Sequence, residues 1–150
     1  MLFVIYDISR KLFDSDSGLL ITILISLNPI IIGISQIVNP DSTLWSTSFA
    51  AFLLFFLYLK TDNDKYVYLS GFFFGLALLS KYFASILYLV FFIAVFAEHL
   101  IKREFDVENL YRRLFDLFKL YFTSILVYVI LKTKTFSEVV VKRLLRLYKI

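Results

Sequence analysis

Long uninterrupted apolar runs, separated by short charged connectors, dominate this chain. Residues 18–40 and 42–59 contain no charged side chain, and two further uncharged runs, 66–80 and 82–97, are separated only by Lys81. Uncharged runs of about 17–25 residues have the length that a helix needs to cross the hydrocarbon core of a bilayer. The first two runs show no polar face at helical spacing, which a soluble helical bundle would require. The pattern therefore predicts an all-α integral membrane protein.

About four to five transmembrane helices are predicted, with amphipathic surface helices beside them. The opening "MLFVIY" resembles the end of a helix, and a polar connector follows it up to residue 17. Pro29 removes a backbone donor and predicts a kink about halfway along the first full segment. The full segments are residues 19–37, 43–59, 66–79, 82–97 and 117–131.

The third and fourth segments meet at "LLSKYF", and two interpretations fit this junction. A single helix over residues 66–97 would be about 48 Å long at 1.5 Å per residue, which exceeds the bilayer core. Two short helices with a break near Ser80 and Lys81 fit the membrane better. The alternative is one long, tilted helix whose lysine snorkels to the interface.

The C-terminal third is predicted to form three pieces. A charged connector, residues 98–116, has the pattern of an amphipathic surface helix, and a marginal apolar segment follows it. The basic tail that begins at Lys132 has the pattern of a helix lying on the membrane surface, with Val140, Leu144, Leu147 and Tyr148 on one side. No repeat or linker divides the chain, so residues 1–150 form a single membrane domain. Its parts are the helix end and connector (1–17), the central helices (18–100) and the connector, marginal helix and basic tail (101–150).

Composition and charge agree with a membrane protein. The residues are 60% hydrophobic and the mean hydropathy is +0.81. The net charge of +4 could suggest nucleic acid, but most basic residues flank apolar segments, where they meet lipid headgroups. We therefore expect membrane lipid, and no nucleic acid, as a partner. The absence of cysteine excludes disulfides.

The distribution of lysine and arginine orients the predicted helices. If nine basic residues face the cytoplasm, the turns at Asp41 and Lys81 both face outward. The basic tail does not fit this arrangement, because a fifth membrane crossing would place its six basic residues outside. Either the fifth segment does not fully cross, or a further helix follows. The nine residues are Arg10, Lys11, Lys60, Lys65, Lys102, Arg103, Arg112, Arg113 and Lys119.

Asp41 and Lys81 are the most conspicuous charges within the hydrophobic region. Ionisable groups at membrane depth are costly and tend to mark functional sites. A carboxylate and an ammonium on one face suit a metal or a phosphate ligand. Two simpler roles stay open: Asp41 or Ser42 caps the second helix, and Lys81 anchors a helix end at the interface.

Other candidates for chemistry are few. His99 stands beside Glu98 with no second histidine, which favours an interfacial side chain over a metal ligand. The glycines of "GFFFG", Gly71 and Gly75, have the small-xxx-small spacing that lets helices approach closely. The sequence contains no Ser/His/Asp arrangement, phosphate loop or Cys/His cluster.

Three features in order resemble the GT-C membrane glycosyltransferases, in the group that contains protein O-mannosyltransferases and aminoarabinose lipid A transferases. They are Asn28-Pro29 inside a helix, the Pro40-Asp41 turn and the "GLALLSKY" junction at residues 75–82. The resemblance covers roughly residues 1–100.

The resemblance implies transfer of a sugar from a polyprenyl-phosphate carrier to a protein, lipid or glycan acceptor. The reaction would take place at the outer face of the plasma membrane, in a multi-pass protein. Asp41 would be a second acidic group near the active site and, as in some members, a ligand of a divalent metal cation. That cation is the one cofactor expected. Lys81 would contact the carrier phosphate.

The sequence departs from the family pattern in one important way. The principal catalytic acid of these enzymes lies in the first outer loop, which is absent from these 150 residues, so we expect no catalytic residue in this chain. We expect an internal fragment or truncated member that is inactive alone, or one part of a split transferase. The alternative is a non-catalytic multi-pass protein that packs against partner helices or serves as a subunit. A small transporter is less favoured, because no inverted repeats are visible.

Overall fold

The computed structural model describes residues 1–36, 40–102 and 107–147, with the side chains of residues 1–29, 31–33, 41–100 and 107–134. Within these ranges the chain is almost entirely helical and contains no strand. The elements are α1 (Leu2–Leu12), α2 (Ser15–Ser26), α3 (Pro29–Gln36), α4 (Pro40–Thr61), α5 (Asp64–Ser80), a 3-10 turn (Tyr82–Ser85), α6 (Ile86–Lys102) and α7 (Val107–Leu147).

Among the residues that the structure describes, three stretches of helix are long and apolar enough to cross a membrane. They are Asp41–Thr61, Tyr82–Leu100 and Val107–Lys134, with mean hydropathies of 1.5, 2.0 and 1.8. A shorter apolar helix, Ser15–Ser26, accompanies them, and α5 adds 17 residues between the first two spans. The predicted class, an all-α membrane protein, is confirmed.

The α1 helix extends further than the sequence indicated. Asp7 to Leu12 were expected in a polar connector, but they continue the helix. Asp7 accepts hydrogen bonds from Arg10 at 3.2 Å and from Lys11 at 2.6 Å, one turn further on. Such pairs at i,i+3 and i,i+4 support a helix in a charged stretch. The connector is therefore reduced to the residues around Asp14, which caps α2.

The first predicted segment forms two helices. The α2 helix ends at Ser26, and α3 begins at Pro29, with the carbonyl of Asn28 accepting from the Ile32 N–H at 3.0 Å. Proline at the first position of a helix loses no hydrogen bond, whereas in a helix interior it would. The expected kink is therefore a complete interruption of the helix.

The helices α4 and α5 form an antiparallel hairpin around a tight polar turn, as predicted. Asp62 adopts a positive φ of 54°, a left-handed conformation that aspartate tolerates better than most residues. The side chain of Asn63 then caps α5 by accepting from the Lys65 N–H at 3.1 Å. Ser70 fastens the two helices near their middle by donating to the carbonyl of Ala51 at 2.7 Å.

The helix is interrupted at Lys81, which confirms the two-helix interpretation of "LLSKYF". Lys81 has an extended backbone, with φ −152° and ψ 138°, between the end of α5 and the 3-10 turn. Its N–H still donates to the carbonyl of Ala77 at 3.1 Å, which completes the last turn of α5.

The C-terminal third differs from its prediction. The connector from residue 107 onward, the marginal segment and the tail as far as Leu147 form one helix of 41 residues, α7. Residues 107–147 contain neither glycine nor proline, so nothing in the backbone interrupts the helix. The predicted apolar face of the tail falls on side chains outside the described residues.

The core lies where α4, α5 and α6 meet, and α7 closes it. The ring of Phe91 lies 4.7 Å from that of Phe55 and 5.5 Å from that of Phe74, between centroids. Gly71 and Gly75 face α7, and a Cβ at Gly71 would stand 2.8 Å from the backbone oxygen of Leu120. The expected role of these glycines in close helix packing is confirmed.

Candidate functional site

Asp41 and Lys81 form an ion pair between Oδ1 of the carboxylate and Nζ of the ammonium. Asp41 lies in the first turn of α4, and Lys81 directly follows α5. Because the two helices are antiparallel, the start of one and the end of the other meet at the same end of the bundle. The side chains are 28% and 43% exposed, so both are open to a ligand. The predicted location of the two residues on one face is therefore found, while the side of the membrane stays a prediction.

The simpler role proposed for Asp41 as the helix cap does not fit the structure. The α4 helix begins at Pro40, which places Asp41 inside the first turn. Proline is favoured at the first helical position, and a carboxylate in the first turn interacts favourably with the positive end of the helix dipole. Asp41 can therefore support α4 electrostatically and still direct its carboxylate to Lys81.

The ion pair borders an open groove of about 630 Å³. Three aromatic side chains form much of its wall: Trp45 is 62% exposed, Tyr82 87% and Phe83 64%. An ammonium attracts an anionic group, a carboxylate accepts from hydroxyl groups, and aromatic faces pack against apolar surface. The groove therefore suits a ligand that carries a negative charge, hydroxyl groups and apolar surface together.

The groove does not suit a divalent metal on its own. Among the described residues that line it there is one carboxylate, Asp41, and Lys81 already opposes its charge. Hard divalent cations take several oxygen ligands. No group of three or more His, Cys, Asp and Glu side chains that could hold a metal occurs in the described part of the chain. The expectation that Asp41 binds a metal stays a prediction, and these residues would need further ligands from elsewhere.

A second set of charges lies at the opposite end of the bundle. Asp62, in the turn after α4, pairs with Arg112 and, at 2.9 Å, with Arg113. Arg113 also reaches Glu98 of α6 at 3.2 Å, and the side chain of His99 borders the cavity beside them. Lys119 reaches Asp64 at 3.2 Å, and Lys60 lines the same cavity as Asp62 and Arg113. The predicted grouping of Lys60, Arg112, Arg113 and Lys119 at one end agrees with these positions.

The sequence did not point to a buried polar cluster that joins α4 to α7. Asp116 is 4% exposed, and its carboxylate accepts from the hydroxyl of Tyr58 at 2.5 Å and from Lys119 at 2.7 Å. The guanidinium of Arg113 lies 4.8 Å from the ring centroid of Tyr58. The available signal was the pair Asp116 and Lys119, at i,i+3, where the charged connector meets the apolar segment. This stretch was predicted to form a helix on the membrane surface. The cluster instead attaches this part of α7 to the core.

Comparison with known proteins gives one result. A family described as dolichyl-phosphate-mannose-protein mannosyltransferase matches residues 1–131. The match includes Asp41, Lys81 and the whole groove, and it extends beyond the region that carried the resemblance. Searches of curated proteins and of solved structures return no match.

Proposed function

Because the chain belongs to the dolichyl-phosphate-mannose-protein mannosyltransferase family of GT-C membrane glycosyltransferases, we propose that its Asp41–Lys81 groove binds a polyprenyl-phosphate-linked sugar. The sugar then passes to a hydroxyl group of a protein, lipid or glycan acceptor at the outer face of the plasma membrane. One observation carries this proposal: an ion pair lies in an aromatic-walled groove at one end of a membrane helix bundle.

Lys81 acts on the phosphate of the donor. In the transfer, the acceptor oxygen forms a bond to the anomeric carbon of the sugar, and the bond from that carbon to the phosphate oxygen breaks. The carrier phosphate leaves with the electron pair, so negative charge grows on its oxygens. An ammonium fixed beside those oxygens stabilises the growing charge, and preorganised electrostatic stabilisation of this kind is often the main source of an enzyme's rate enhancement.

Asp41 positions Lys81 and completes the polar wall of the groove. A lysine side chain has four rotatable bonds and a high conformational entropy, which an ion pair to a helix-bound carboxylate reduces. Binding of the phosphate then requires less ordering of Lys81. The carboxylate can also accept hydrogen bonds from sugar hydroxyls.

The base that removes the acceptor proton is assigned to another carboxylate. A general base must lie within hydrogen-bond reach of that proton. Asp41 is engaged with Lys81, and no other carboxylate occurs among the described residues of the groove. We therefore assign donor binding, and not removal of the acceptor proton, to the described residues of this groove.

The proposal is tested by equilibrium binding of radiolabelled dolichyl-phosphate mannose to the purified chain in detergent. We expect saturable binding, and Lys81→Ala should weaken it about tenfold, the loss of one charge-assisted contact to phosphate. Lys65→Ala, which removes a lysine from the opposite end, should bind as the unmodified chain does. Absence of saturable binding, or equal binding by both variants, would contradict the proposal and favour a non-catalytic helix-packing protein.

A further inference from the structure

A polar cavity of about 270 Å³ lies at the end of the bundle opposite Asp41 and Lys81. Its described charged lining consists of three cations and two carboxylates, an excess of one positive charge when histidine is neutral. The exposure of the two arginines differs: the side chain of Arg113 is 12% exposed and that of Arg112 is 54% exposed. The charged residues are Lys60, Arg112, Arg113, Asp62 and Glu98.

An apolar cavity of about 460 Å³ adjoins the polar one and shares Leu59, Lys60 and Glu98 with it. Phe56 lies one helical turn before Lys60, so this cavity reaches about 6 Å deeper along α4 than the lysine does. Aliphatic and aromatic side chains from α1, α4 and α6, and from the segment that follows α1, form its walls. They are Leu12, Phe13, Phe56, Leu59, Ala94 and Ala97.

We propose that the two cavities together form a binding site for one anionic phospholipid. The phosphate lies against Lys60 and Arg112, and the first part of an acyl chain fills the apolar cavity. A phosphodiester carries one negative charge, which complements the one positive charge in excess. The site lies at the other end of the bundle from the donor groove, so it does not depend on the proposed transferase activity.

The arrangement of the cations favours a lipid headgroup over a protein partner. Arg113 is held between Asp62 and Glu98 and is largely buried. Arg112 also pairs with Asp62, but it lies at the exposed rim of the cavity. Lys60 donates to the carbonyl of Leu12 at 2.5 Å, and both residues line the apolar cavity. Basic side chains at the junction of a polar and an apolar cavity match the arrangement of a phosphate next to its acyl chains.

A free phosphate would use the same cations but would leave the apolar cavity without a complementary group. The acyl chain therefore distinguishes the lipid from inorganic phosphate. The proposed lipid site also predicts that substitutions in the apolar wall affect binding of every phospholipid. Substitutions of the cations should affect binding of anionic phospholipids only.

Native mass spectrometry of the full chain, released from detergent, tests the proposal. Phosphatidylglycerol and phosphatidylcholine with the same acyl chains are added separately. We expect stronger retention of phosphatidylglycerol, and Lys60→Gln and Arg112→Gln should each lower it about fivefold, since one basic residue near a charged lipid surface contributes about 1 kcal/mol. Retention of phosphatidylcholine should not change in these variants. Ala97→Trp, which fills the apolar cavity, should lower retention of both lipids.

Lys65→Gln is the matched control, because it removes a lysine at the same end that is not among the residues lining either cavity. Circular dichroism checks that each variant keeps its helices, and two independent cation variants guard against local misfolding in one of them. Equal retention of the two lipids by the unmodified chain would overturn the proposal. Displacement of phosphatidylglycerol by millimolar inorganic phosphate would also overturn it, since the site would then bind phosphate without an acyl chain.

Discussion

Lys81, at the end of α5, forms an ion pair with Asp41, in the first turn of α4. The two residues are the most conspicuous charges in the hydrophobic region of the sequence, and the antiparallel hairpin brings them together. Removing charges from water at a membrane interface is unfavourable, and pairing them offsets part of that cost. Because Lys81 is still 43% exposed within this ion pair, its ammonium can also bind the phosphate of a ligand while Asp41 holds it in place, which is the basis of the proposed donor site.

Neutralising Asp41 should reduce sugar transfer sharply. Asp41→Asn keeps the size of the side chain but removes the charge that positions Lys81. When sugar transfer is assayed in reconstituted membranes, we expect it to fall about a hundredfold, the effect of misplacing a catalytic contact. Asp64→Asn, at the opposite end of the bundle, serves as the control. Unchanged activity in Asp41→Asn would mean that the carboxylate only supports its helix.

Gly75 should resist substitution because α5 and α7 touch there. A Cβ at Gly75 would stand 2.7 Å from the Cβ of Val127 and 2.8 Å from the backbone oxygen of Ser124. Gly75→Ala should therefore force the helices apart and destabilise the protein by about 1–3 kcal/mol. Gly33→Ala is the matched control, since nothing lies within 4 Å of its added Cβ. Thermal unfolding in detergent measures both, and equal melting temperatures would contradict the close contact.

Tyr58 should stabilise the fold through its hydroxyl group. Its side chain is 1% exposed, and the hydroxyl donates to the buried carboxylate of Asp116. Tyr58→Phe leaves that oxygen without the donor and should cost about 1.5–3 kcal/mol, the usual range for a hydrogen bond to a charged group. The control is Tyr111→Phe, at a residue that is 71% exposed, and it should change little. Unfolding by denaturant distinguishes the two variants, and equal stabilities would show that the Tyr58 hydroxyl contributes nothing.

The start of α2 should loosen in acid. Hydrogen bonds donated by Ser17, from its side chain and its backbone N–H, lower the pKa of Asp14 from its ordinary value of 3.8. A lowered pKa in the folded state means that the stabilisation is present above pH 3.8 and is lost as the pH falls through the folded pKa. Hydrogen exchange at Ser17 should therefore lose protection in acid. In Asp14→Ser the cap cannot titrate, so its protection should vary less with pH; identical profiles would rule out this role for Asp14.

Much of this fold follows from the pattern of apolar residues, because charge-free runs of membrane length have few alternatives to helices. The break at Lys81 was predictable for the same reason, since a continuous helix would exceed the bilayer. The motif around Asn28 and Pro29 predicted an irregularity, but only packing decides whether a helix bends or stops there.

The candidate site was predictable in part. Both residues of the ion pair were identified, but their contact depends on the length and pairing of α4 and α5, which no local pattern specifies. The cluster of Tyr58, Asp116 and Lys119 was not predicted. A charged helical stretch has the same sequence pattern whether it lies on a membrane surface or packs against a core. The continuity of α7 was missed for the same reason.

The most direct test of the central claim is photo-crosslinking of the donor to the groove. The photoreactive amino acid benzoylphenylalanine is placed at Phe83, in the groove, or at Phe118 of α7, and both native side chains are 64% exposed. With radiolabelled dolichyl-phosphate mannose, we expect a crosslink at position 83 that excess unlabelled donor abolishes, and little labelling at position 118. Equal labelling at both positions, or labelling at position 83 that unlabelled donor does not reduce, would contradict the proposed donor site.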